Sequence, residues 1–314
     1  MVLVLGPTGS GKSGLAIRLA LEFDGEIVNC DSQQVYRLLN VGTAKVPEGE
    51  RRGVPHHLID VADPGEIFSA GEYARRARIT LAEIGGRGKL PIVCGGTGFY
   101  VRGLLDGLFA GPPRDAGLRA ELIRREHRRP GFAHRVLRRA DPMSAARIHP
   151  HDLQKAVRAI EVSLAARTPM SSLFGQSEQP LEGFRWLKLG LDPPRELLYT
   201  RINSRCEQMF RDGLVDETSA LLQQGYGRDT KALESIGYRQ SIDVLEQRAT
   251  VAEALADTQM ETRRYAKRQL TWFRRDEEMR WLHGFGDEPA IEREATWLVS
   301  EHVRSPTMSA ATRE

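Results

Sequence analysis

The chain has 314 residues, enough for one sizeable core and a second small domain. It carries 45 Lys and Arg against 42 Asp and Glu, a formal net charge of +3, so overall charge alone indicates no particular partner. No apolar run is long enough to span a membrane, and the chain starts on a strand pattern rather than on a charged-then-apolar leader. We expect a cytoplasmic monomer with no membrane contact.

The cysteines indicate neither a disulfide framework nor a zinc site. Cys30, Cys94 and Cys206 are odd in number, far apart and without C-x-x-C spacing. Because Cys30 and Cys94 lie inside apolar runs, we predict that both pack in the core.

The first predicted element is a buried strand over residues 2–5, followed by a glycine-rich turn and a helix with apolar residues at helical spacing. The turn fits the pattern G-x-x-x-x-G-K-[ST] at every fixed position. Its residues are Gly6, Pro7, Thr8, Gly9, Ser10, Gly11, Lys12 and Ser13. Backbone amides, the helix N-terminus and Lys12 favour a bound phosphate, and Ser13 is suited to hold Mg²⁺. The turn therefore predicts a site for a diphosphate or triphosphate group, but it does not identify the molecule that carries this group.

Two further strands, at 26–30 and 90–94, alternate with a helix at 70–84. This alternation predicts an α/β fold, a P-loop NTPase-like parallel sheet flanked by helices. Polar or glycine-rich turns follow each strand, at 6–13, 31–34 and 95–98. Since ligands of such sheets bind beyond the carboxyl ends of the strands, the three turns are expected to build one site.

A basic helical segment interrupts the α/β pattern. Residues 114–178 carry 13 Lys and Arg against 7 Asp and Glu, a net charge of +6, with four histidines. Such charge is compatible with a solvated helical surface or with a nucleic-acid contact. We predict a core of 1–112 plus 184–304, a helical insertion of 113–183 and a disordered tail of 305–314. The core resumes with a strand at 184–191 and helices at 194–224, 234–246 and 250–278.

Asp31, directly after the second strand, has three open interpretations: a turn residue that caps a helix, a Mg²⁺-holding aspartate, or a general base. Gln33 and Gln34 have the paired donor and acceptor that suit an adenine edge. Thr97 in the third turn is expected to point into the same pocket. The adjacent His56 and His57 lack further ligands at metal spacing, so structural packing is the better interpretation.

A helix is predicted to start at 152, with Asp152 as its cap. Its core face comprises Leu153, Val157 and Ile160. The other face comprises Gln154, Arg158 and Glu161 and is either solvated or in contact with RNA.

Basic and aromatic residues interleave over 263–275. This pattern suits phosphate contacts and base stacking. The alternative is a helix that buries Tyr265, Leu270 and Trp272 while its arginines face water.

These features together resemble the tRNA dimethylallyltransferase family, also called tRNA isopentenyltransferases, in its bacterial type. The matching segments run in family order over nearly the whole chain. They are 6–13, 31–36 (DSQQVY), 42–45 (GTAK), 55–60 (PHHLID), 95–100 (GGTGFY), 149–152 (HPHD), 158–162 (RAIEV), 213–217 (GLVDE), 236–239 (IGYR) and 268–274 (RQLTWFR). Departures are small: Gly9 stands where alanine is commoner and Gln33 where methionine is common.

The resemblance implies transfer of a dimethylallyl group from dimethylallyl diphosphate to N6 of the adenine at position 37. This adenine lies 3′ of the anticodon in tRNAs that read codons beginning with U. It implies catalytic roles for Asp31 as general base, for Thr97 beside the diphosphate and for Lys12. It also implies diphosphate contacts from residues 6–13 and Arg205, with Mg²⁺ near Ser13.

The resemblance further implies a set of residues that contact the tRNA anticodon stem-loop. They are Asp31, Ser32, Gln33, Gln34, Thr97, Arg119, Gln154, Lys155, Ala156, Val157, Arg158, Glu234, Ser235, Ile236, Gly237, Tyr238 and Arg239. Three other functions fit the phosphate turn: a small-molecule kinase, a transferase that prenylates free adenine nucleotides, and a non-enzymatic RNA-binding ATPase.

Overall fold

The computed structural model of the protein describes residues 1–108, 111–112, 114–173 and 179–305. The chain divides into two compact units. The first combines Met1–Leu104 with Glu182–Glu314, and the second is Leu105–Leu181. The tail for which we predict disorder lies, from residue 306, outside the described residues.

In the described part of the chain, six strands form one parallel sheet in the first unit, with the order β3-β2-β4-β1-β5-β6. The strands are β1 (Val2–Leu5), β2 (Gly25–Cys30), β3 (His56–His57), β4 (Leu90–Gly95), β5 (Leu187–Leu191) and β6 (Arg280–Leu282). β1 and β2 are buried on both faces, so neither shows the alternation of a half-buried strand. β1 is a continuous apolar run, whereas β2 also contains the buried polar residues Glu26 and Asn29. The predicted P-loop-like α/β sheet is confirmed.

The helices are α1 (Lys12–Glu22), α2 (Ala70–Gly86), α3 (Gly98–Leu105), α4 (Ala116–Arg128), α5 (Phe132–Ala140), α6 (Pro142–Arg147), α7 (Leu153–Ala166), α8 (Met170–Leu173), α9 (Arg195–Arg211), α10 (Leu214–Gln223), α11 (Tyr238–Leu245), α12 (Val251–Phe273) and α13 (Pro289–Arg304). Short 3-10 helices form at Glu48–Arg51 and Lys231–Glu234. None of the helices seen in the described ranges combines the length and apolarity required to cross a bilayer.

The core of the first unit lies between the sheet and its helices. Val2 and Val4 of β1 pack with Leu15 of α1 and with Ile291 and Val299 of α13. The buried side chains thus anchor α1, the helix that follows the glycine-rich turn, against the central strand.

The pairing register explains why the three turns meet. Gly95, the last residue of β4, is paired with Leu5 at the end of β1 on one side and with Cys30 at the end of β2 on the other. Three parallel strands therefore end at one level, and the segments that follow them leave the sheet at the same edge.

Several predicted boundaries were wrong. The strand predicted at 184–191 begins only at Leu187, and the helix predicted at 250–278 ends at Phe273. The helix predicted at 194–224 is broken into α9 and α10 at Gly213, whose φ of +93° favours glycine. The helix predicted at 234–246 starts only at Tyr238, with Gly237 as its N-cap, and Glu234 belongs to the preceding 3-10 helix.

The second unit is a cluster of helices, α4 to α8, around an apolar core that includes Leu122, Leu137, Val157 and Ile160. The predicted cap is confirmed: the Lys155 N–H donates to Asp152 Oδ1 at 3.1 Å. Two more aspartates cap helices here. Asp115 accepts from Leu118 N at the start of α4, and Asp141 accepts from Ser144 N at the start of α6.

Candidate active site

The phosphate loop, which we define as residues 6–13, connects β1 to α1 with its backbone open to a ligand. Gly9 and Gly11 have φ values of +81° and +83°, a region that strains other residues. Gly11 is the N-cap of α1, so no side chain caps this helix, and its first turn contains no acidic residue. The uncapped N-terminus therefore presents partial positive charge to any anion held by the loop.

Two cationic side chains line the cavity beside this loop, Lys12 from α1 and Arg205 from α9. Burial lowers the pKa of Lys12 and also that of Arg205. Lys12 Nζ donates to Pro7 O at 3.3 Å, and neither cation forms an ion pair with any described residue. Two half-buried positive charges without ion-pair partners favour binding of a multiply charged anion.

Asp31 follows β2 and lines the same cavity. Its Oδ1 accepts hydrogen bonds from Gln33 N at 2.8 Å and from Gln34 N at 3.4 Å. Its Oδ2 accepts none from the residues that the structure describes. One oxygen thus caps a turn, although no helix starts there as the first interpretation expects, and the second is free for a ligand, a proton or a metal ion.

Thr97 joins the turn after β4 to the turn after β2. Its Oγ1 accepts from Ser32 N at 3.0 Å, and its own N–H donates to Cys30 O at 3.2 Å. Gly95, Asp31 and Lys12 line one cavity. The three predicted turns therefore meet at one edge of the sheet, as the strand pattern indicates.

The cavity has an aliphatic wall that sequence reasoning missed. Ile27, Val46 and Ile59 line it, together with the polar residues Thr43 and His56. Only the segments 42–45 and 55–60 pointed to this region. The first did so as a family match, and the second also through its adjacent histidines, but neither indicated an apolar surface. The site thus combines a cationic phosphate cradle with apolar surface.

The loop that carries Thr43 is fixed from both ends by side chains. Gln34 Nε2 donates to Thr43 O at 3.0 Å. Glu217 of α10 accepts from the N–H of Asn40 and from that of Val41, and the hydroxyl of Tyr238 donates to the same carboxylate at 2.5 Å. Gln34, predicted to contact an adenine edge, therefore uses its amide nitrogen within the protein.

The two histidines differ in their surroundings. His57 Nε2 lies 2.7 Å from Glu26 Oε2, and Arg87 lowers the pKa of that glutamate. His56 Nδ1 lies 2.8 Å from Val54 O, and burial lowers the pKa of His56. Across the described residues, no three His, Cys, Asp or Glu side chains cluster as metal ligands. These contacts agree with a structural role, although His56 also lines the cavity.

Cys30 and Cys94 are buried, as predicted, although Cys94 also lines the cavity. Burial raises the pKa of Cys30 to about 12 and that of Cys94 to about 11, so both stay as neutral thiols. Cys94 Sγ donates to Lys12 O at 3.6 Å, a contact that packs the strand against the start of α1.

In the helical unit, the predicted polar face of α7 is not simply solvated. Glu161 is 1% exposed. Burial raises its pKa, but hydrogen bonds from Arg119 and Arg158 outweigh this and lower it overall. Arg119 Nε and Arg158 Nη1 donate to its two oxygens at 3.0 and 2.6 Å. Neither of the two interpretations given for that face, solvent or RNA, holds for Glu161.

The other predicted tRNA-contacting residues differ widely in exposure. On α7, Gln154 and Lys155 are exposed, whereas Ala156 and Val157 are buried. In the segment 234–239, Glu234 and Arg239 are exposed, Ser235 and Ile236 are half-buried, and Gly237 and Tyr238 are buried.

The basic and aromatic segment lies mostly on α12. Tyr265 and Leu270 are half-buried and Trp272 is 41% exposed, so the alternative interpretation, a helix that buries all three, does not hold for Trp272. Burial raises the pKa of Tyr265, and the charge of Asp31 raises it further, which places this hydroxyl near the site. Gln269, 5% exposed, lies in the matched segment 268–274, but sequence reasoning gave it no role of its own.

A parallel sheet with a phosphate loop at its carboxyl edge and an apolar wall beside it defines a P-loop-like enzyme class. Within that class, the model of the IPP transferase family matches residues 34–276, and the chain belongs to this family. It is a transferase.

Two curated relatives cover nearly the whole chain. A tRNA dimethylallyltransferase of Solibacter usitatus is 56% identical over 94% of this chain and 96% of its own. One of Koribacter versatilis is 57% identical over 95% of this chain and 97% of its own. These relatives agree with the bacterial type that the sequence resembles.

Solved structures agree in fold. The tRNA isopentenylpyrophosphate transferase of Bacillus halodurans has a TM-score of 0.71 at 36% identity and covers 96% of this chain and 95% of its own. A eukaryotic dimethylallyltransferase, described as acting on tRNA, has a TM-score of 0.82 at 25% identity and covers 99% of this chain and 81% of its own.

Proposed function

We propose that the protein transfers a dimethylallyl group from dimethylallyl diphosphate to N6 of adenine 37, next to the anticodon, in tRNAs reading codons that begin with U. The observation that carries this proposal is the cavity itself. It sets the unpaired cations Lys12 and Arg205 beside an aliphatic wall that includes Ile27 and Ile59. A diphosphate ester with a short hydrocarbon chain matches this lining, because its phosphates suit the two cations and its chain suits the aliphatic wall. The names of the relatives support tRNA as the acceptor.

The chemistry follows from the poor nucleophilicity of an adenine amine, whose lone pair is delocalised into the ring. The N6 lone pair attacks C1 of the dimethylallyl group, and the C1–O bond breaks with its electrons going to the diphosphate. Asp31 takes the N6 proton through its free Oδ2. Such general-base assistance typically contributes about 10² to 10⁴-fold. Lys12, Arg205 and the N-terminus of α1 stabilise the departing charge.

Mg²⁺ fits the donors present at the phosphate loop. The hydroxyl of Ser13 and the carboxylate of Asp31 line one cavity, and few protein ligands suffice for an ion that takes its other ligands from substrate phosphates and water. We assign Ser13 as a metal ligand in this proposal. Bound Mg²⁺ would neutralise charge on the diphosphate.

We further propose that the helical segment 113–183 contacts the anticodon stem-loop in a monomeric, cytoplasmic enzyme. Support comes from the net charge of +6 over 114–178 and from the exposed side chains of Gln154 and Lys155. Adenine must leave its stack to reach a closed pocket, which costs a few kcal/mol. Contacts to tRNA phosphates are suited to offset that cost.

The test is incubation with labelled dimethylallyl diphosphate, Mg²⁺ and an unmodified tRNA, in parallel with AMP and with the same tRNA carrying guanine at position 37. We expect label on the unmodified tRNA alone. Label on AMP but not on tRNA would instead identify a free-nucleotide transferase. Phosphate transfer from ATP without prenylation would identify a kinase, and label on the guanine variant would contradict the assigned position.

A further inference from the structure

Gln269 of α12 connects two parts of the site that are far apart in the sequence. Its Oε1 accepts from the N–H of Thr8 in the phosphate loop at 2.9 Å, a contact across 261 residues. Its Nε2 donates to Gly96 O, in the turn after β4, at 2.8 Å. The side chain is 5% exposed, so water does not replace either bond.

The orientation of this amide follows from its partners. The Thr8 N–H is only a donor and the Gly96 carbonyl is only an acceptor, so the oxygen must face Thr8 and the nitrogen must face Gly96. A neutral amide satisfies both partners at any pH. An ionised carboxylate satisfies only the first, since it has no hydrogen to donate.

The side chains of α12 pack directly against the backbone of the turn at Gly96 and Gly98. A Cβ on Gly96 would lie 2.1 Å from Gln269 Nε2. One helical turn further along α12, the Trp272 ring would lie 2.2 Å from a Cβ on Gly98. Glycine at both positions lets α12 approach the turn that carries Thr97.

We propose that Gln269 is a positioning residue that holds the phosphate loop in register with the turn carrying Thr97. Through Thr8 it fixes the loop that binds the leaving diphosphate. Through Gly96 it fixes Thr97, whose hydroxyl accepts from Ser32 N beside Asp31. The inference rests on the proposed function, because the relative position of the phosphate loop and the turn carrying Thr97 aligns the attacking amine with the leaving group.

The first test compares Gln269→Ala with the wild type in dimethylallyl transfer to tRNA. We expect kcat to fall about 10²-fold, since a misplacement of about 1 Å costs that much, while the Kd for tRNA changes by less than about threefold. Gln259→Ala is the matched control. It removes the amide contacts of another glutamine of α12, to Asn203 O and to Glu207 Oε1, both at 3.3 Å, and is expected to keep the wild-type rate. A wild-type kcat for Gln269→Ala overturns the proposal.

The second test uses the isosteric Gln269→Glu and a pH profile, a readout that a purely structural role does not change. Burial raises the pKa of a carboxyl at this position, so at low pH the protonated form donates to Gly96 O as the amide does. We expect a rate within about tenfold of wild type at pH 6 and a fall of about tenfold or more, relative to wild type, by pH 8.5. A constant ratio across this range overturns the proposal. If Gln269→Ala does not fold, as judged by thermal unfolding, this profile decides alone.

Binding of inorganic diphosphate with Mg²⁺ separates this inference from the proposed function. Gln269→Ala is expected to weaken that binding about tenfold, and Gln259→Ala is expected to leave it unchanged. If the wild type binds diphosphate but prenylates no tRNA, the proposed function is wrong. The diphosphate affinity of Gln269→Ala still tests whether Gln269 positions the phosphate loop. Unchanged affinity in Gln269→Ala, together with an unchanged pH profile in Gln269→Glu, contradicts the positioning role.

Discussion

At the scale of single residues, Asp31 divides its two oxygens between structure and chemistry. Oδ1 holds the turn through Gln33 N at 2.8 Å, and Oδ2 has no hydrogen bond from the described residues. This division means that two substitutions test different things. Asparagine keeps an oxygen for the turn but lacks a basic carboxylate, whereas alanine loses both functions.

We therefore predict that Asp31→Asn folds as the wild type does and loses about 10² to 10⁴-fold in kcat, the range of general-base assistance. Single-turnover transfer to tRNA measures the rate, and filter binding is expected to give a Kd for tRNA within about threefold of wild type. Asp31→Ala serves as the comparison, with a lowered Tm from the uncapped turn. A kcat above a tenth of the wild-type value in Asp31→Asn contradicts the base assignment.

Lys12 gives a prediction about pH. Burial lowers the pKa of Lys12, and only its protonated form attracts a diphosphate. Affinity for inorganic diphosphate is therefore expected to be full below this lowered pKa and to fall as pH rises through it, by up to about tenfold per unit. Calorimetric titrations from pH 7 to 10 measure this. Lys12→Met, which titrates no group here, is expected to bind weakly and to lose that part of the pH dependence. Parallel profiles for the two proteins would contradict the assignment.

At the scale of elements, one carboxylate connects the loop at 40–42 with α10 and α11. Glu217 accepts from Val41 N at 3.0 Å and from the Tyr238 hydroxyl at 2.5 Å. A Cβ on Gly42 would lie 2.4 Å from the Tyr238 ring, so loop and helix pack without a gap. Because Thr43 lines the cavity, this carboxylate shapes the site from outside it.

We predict that Glu217→Ala lowers the free energy of unfolding by about 2 to 3 kcal/mol, because it leaves several N–H groups without their charged acceptor. Tyr238→Phe, which removes one of these bonds, is expected to cost about 1 kcal/mol. Urea unfolding measures both. The control is Glu234→Ala, which removes an exposed pair with Lys231 and is expected to cost less than about 0.5 kcal/mol. An equal decrease in the free energy of unfolding for Glu217→Ala and Glu234→Ala would contradict the role of Glu217 in connecting the loop at 40–42 with α10 and α11.

The elements that local pattern predicted are those whose signal lies in a few neighbouring residues. The phosphate loop is a contiguous motif, and β1, β2 and β4 are short segments that contain several apolar residues and end in turns. β3 and β6 have two and three residues, too few to show a period. The break at Gly213 was missed because apolar spacing continues on both sides of it.

The parts of the site that the sequence left out depend on contacts between distant segments. Gln269 reaches Thr8 across 261 residues, and nothing local distinguishes it from other glutamines of α12. The aliphatic wall is assembled likewise, since Ile27, Val46 and Ile59 come from one strand and two loops. Each looks like ordinary core in the sequence. Chemistry carried by a charged or glycine-rich motif could be predicted, whereas shape made by tertiary packing could not.

At the scale of the whole molecule, charge is unevenly distributed along the chain. The chain has a net charge of +3, while residues 114–178 alone carry +6, so the remainder is net acidic. Within this basic segment, Arg119 and Arg158 are held by the buried Glu161. Arg138 and Arg139 of α5 are exposed and form no ion pair with any described residue. Arg138 and Arg139 are therefore better suited to contact phosphates than Arg119 and Arg158, whose charges are already matched by Glu161.

We predict that the double variant Arg138→Gln, Arg139→Gln weakens tRNA binding mainly through its salt dependence. Each phosphate contact to single-stranded or duplex nucleic acid contributes about 0.7 to 0.9 to the slope of log K against log salt concentration. The loss of two contacts should therefore lower the magnitude of that slope by about 1.4 to 1.8. Titrations of an anticodon stem-loop between 50 and 300 mM salt, about the range in which such slopes are resolved, measure it.

The control for this variant is the pair Arg293→Gln, Arg304→Gln on α13, two exposed arginines outside the basic segment. Both variants lose the same formal charge, so a general loss of positive charge would lower the two slopes equally. A specific phosphate contact lowers the slope only for the α5 pair. A slope that stays at the wild-type value when Arg138 and Arg139 are replaced would show that α5 does not contact tRNA, and the role proposed for the basic segment would then have to lie on other helices of 113–183.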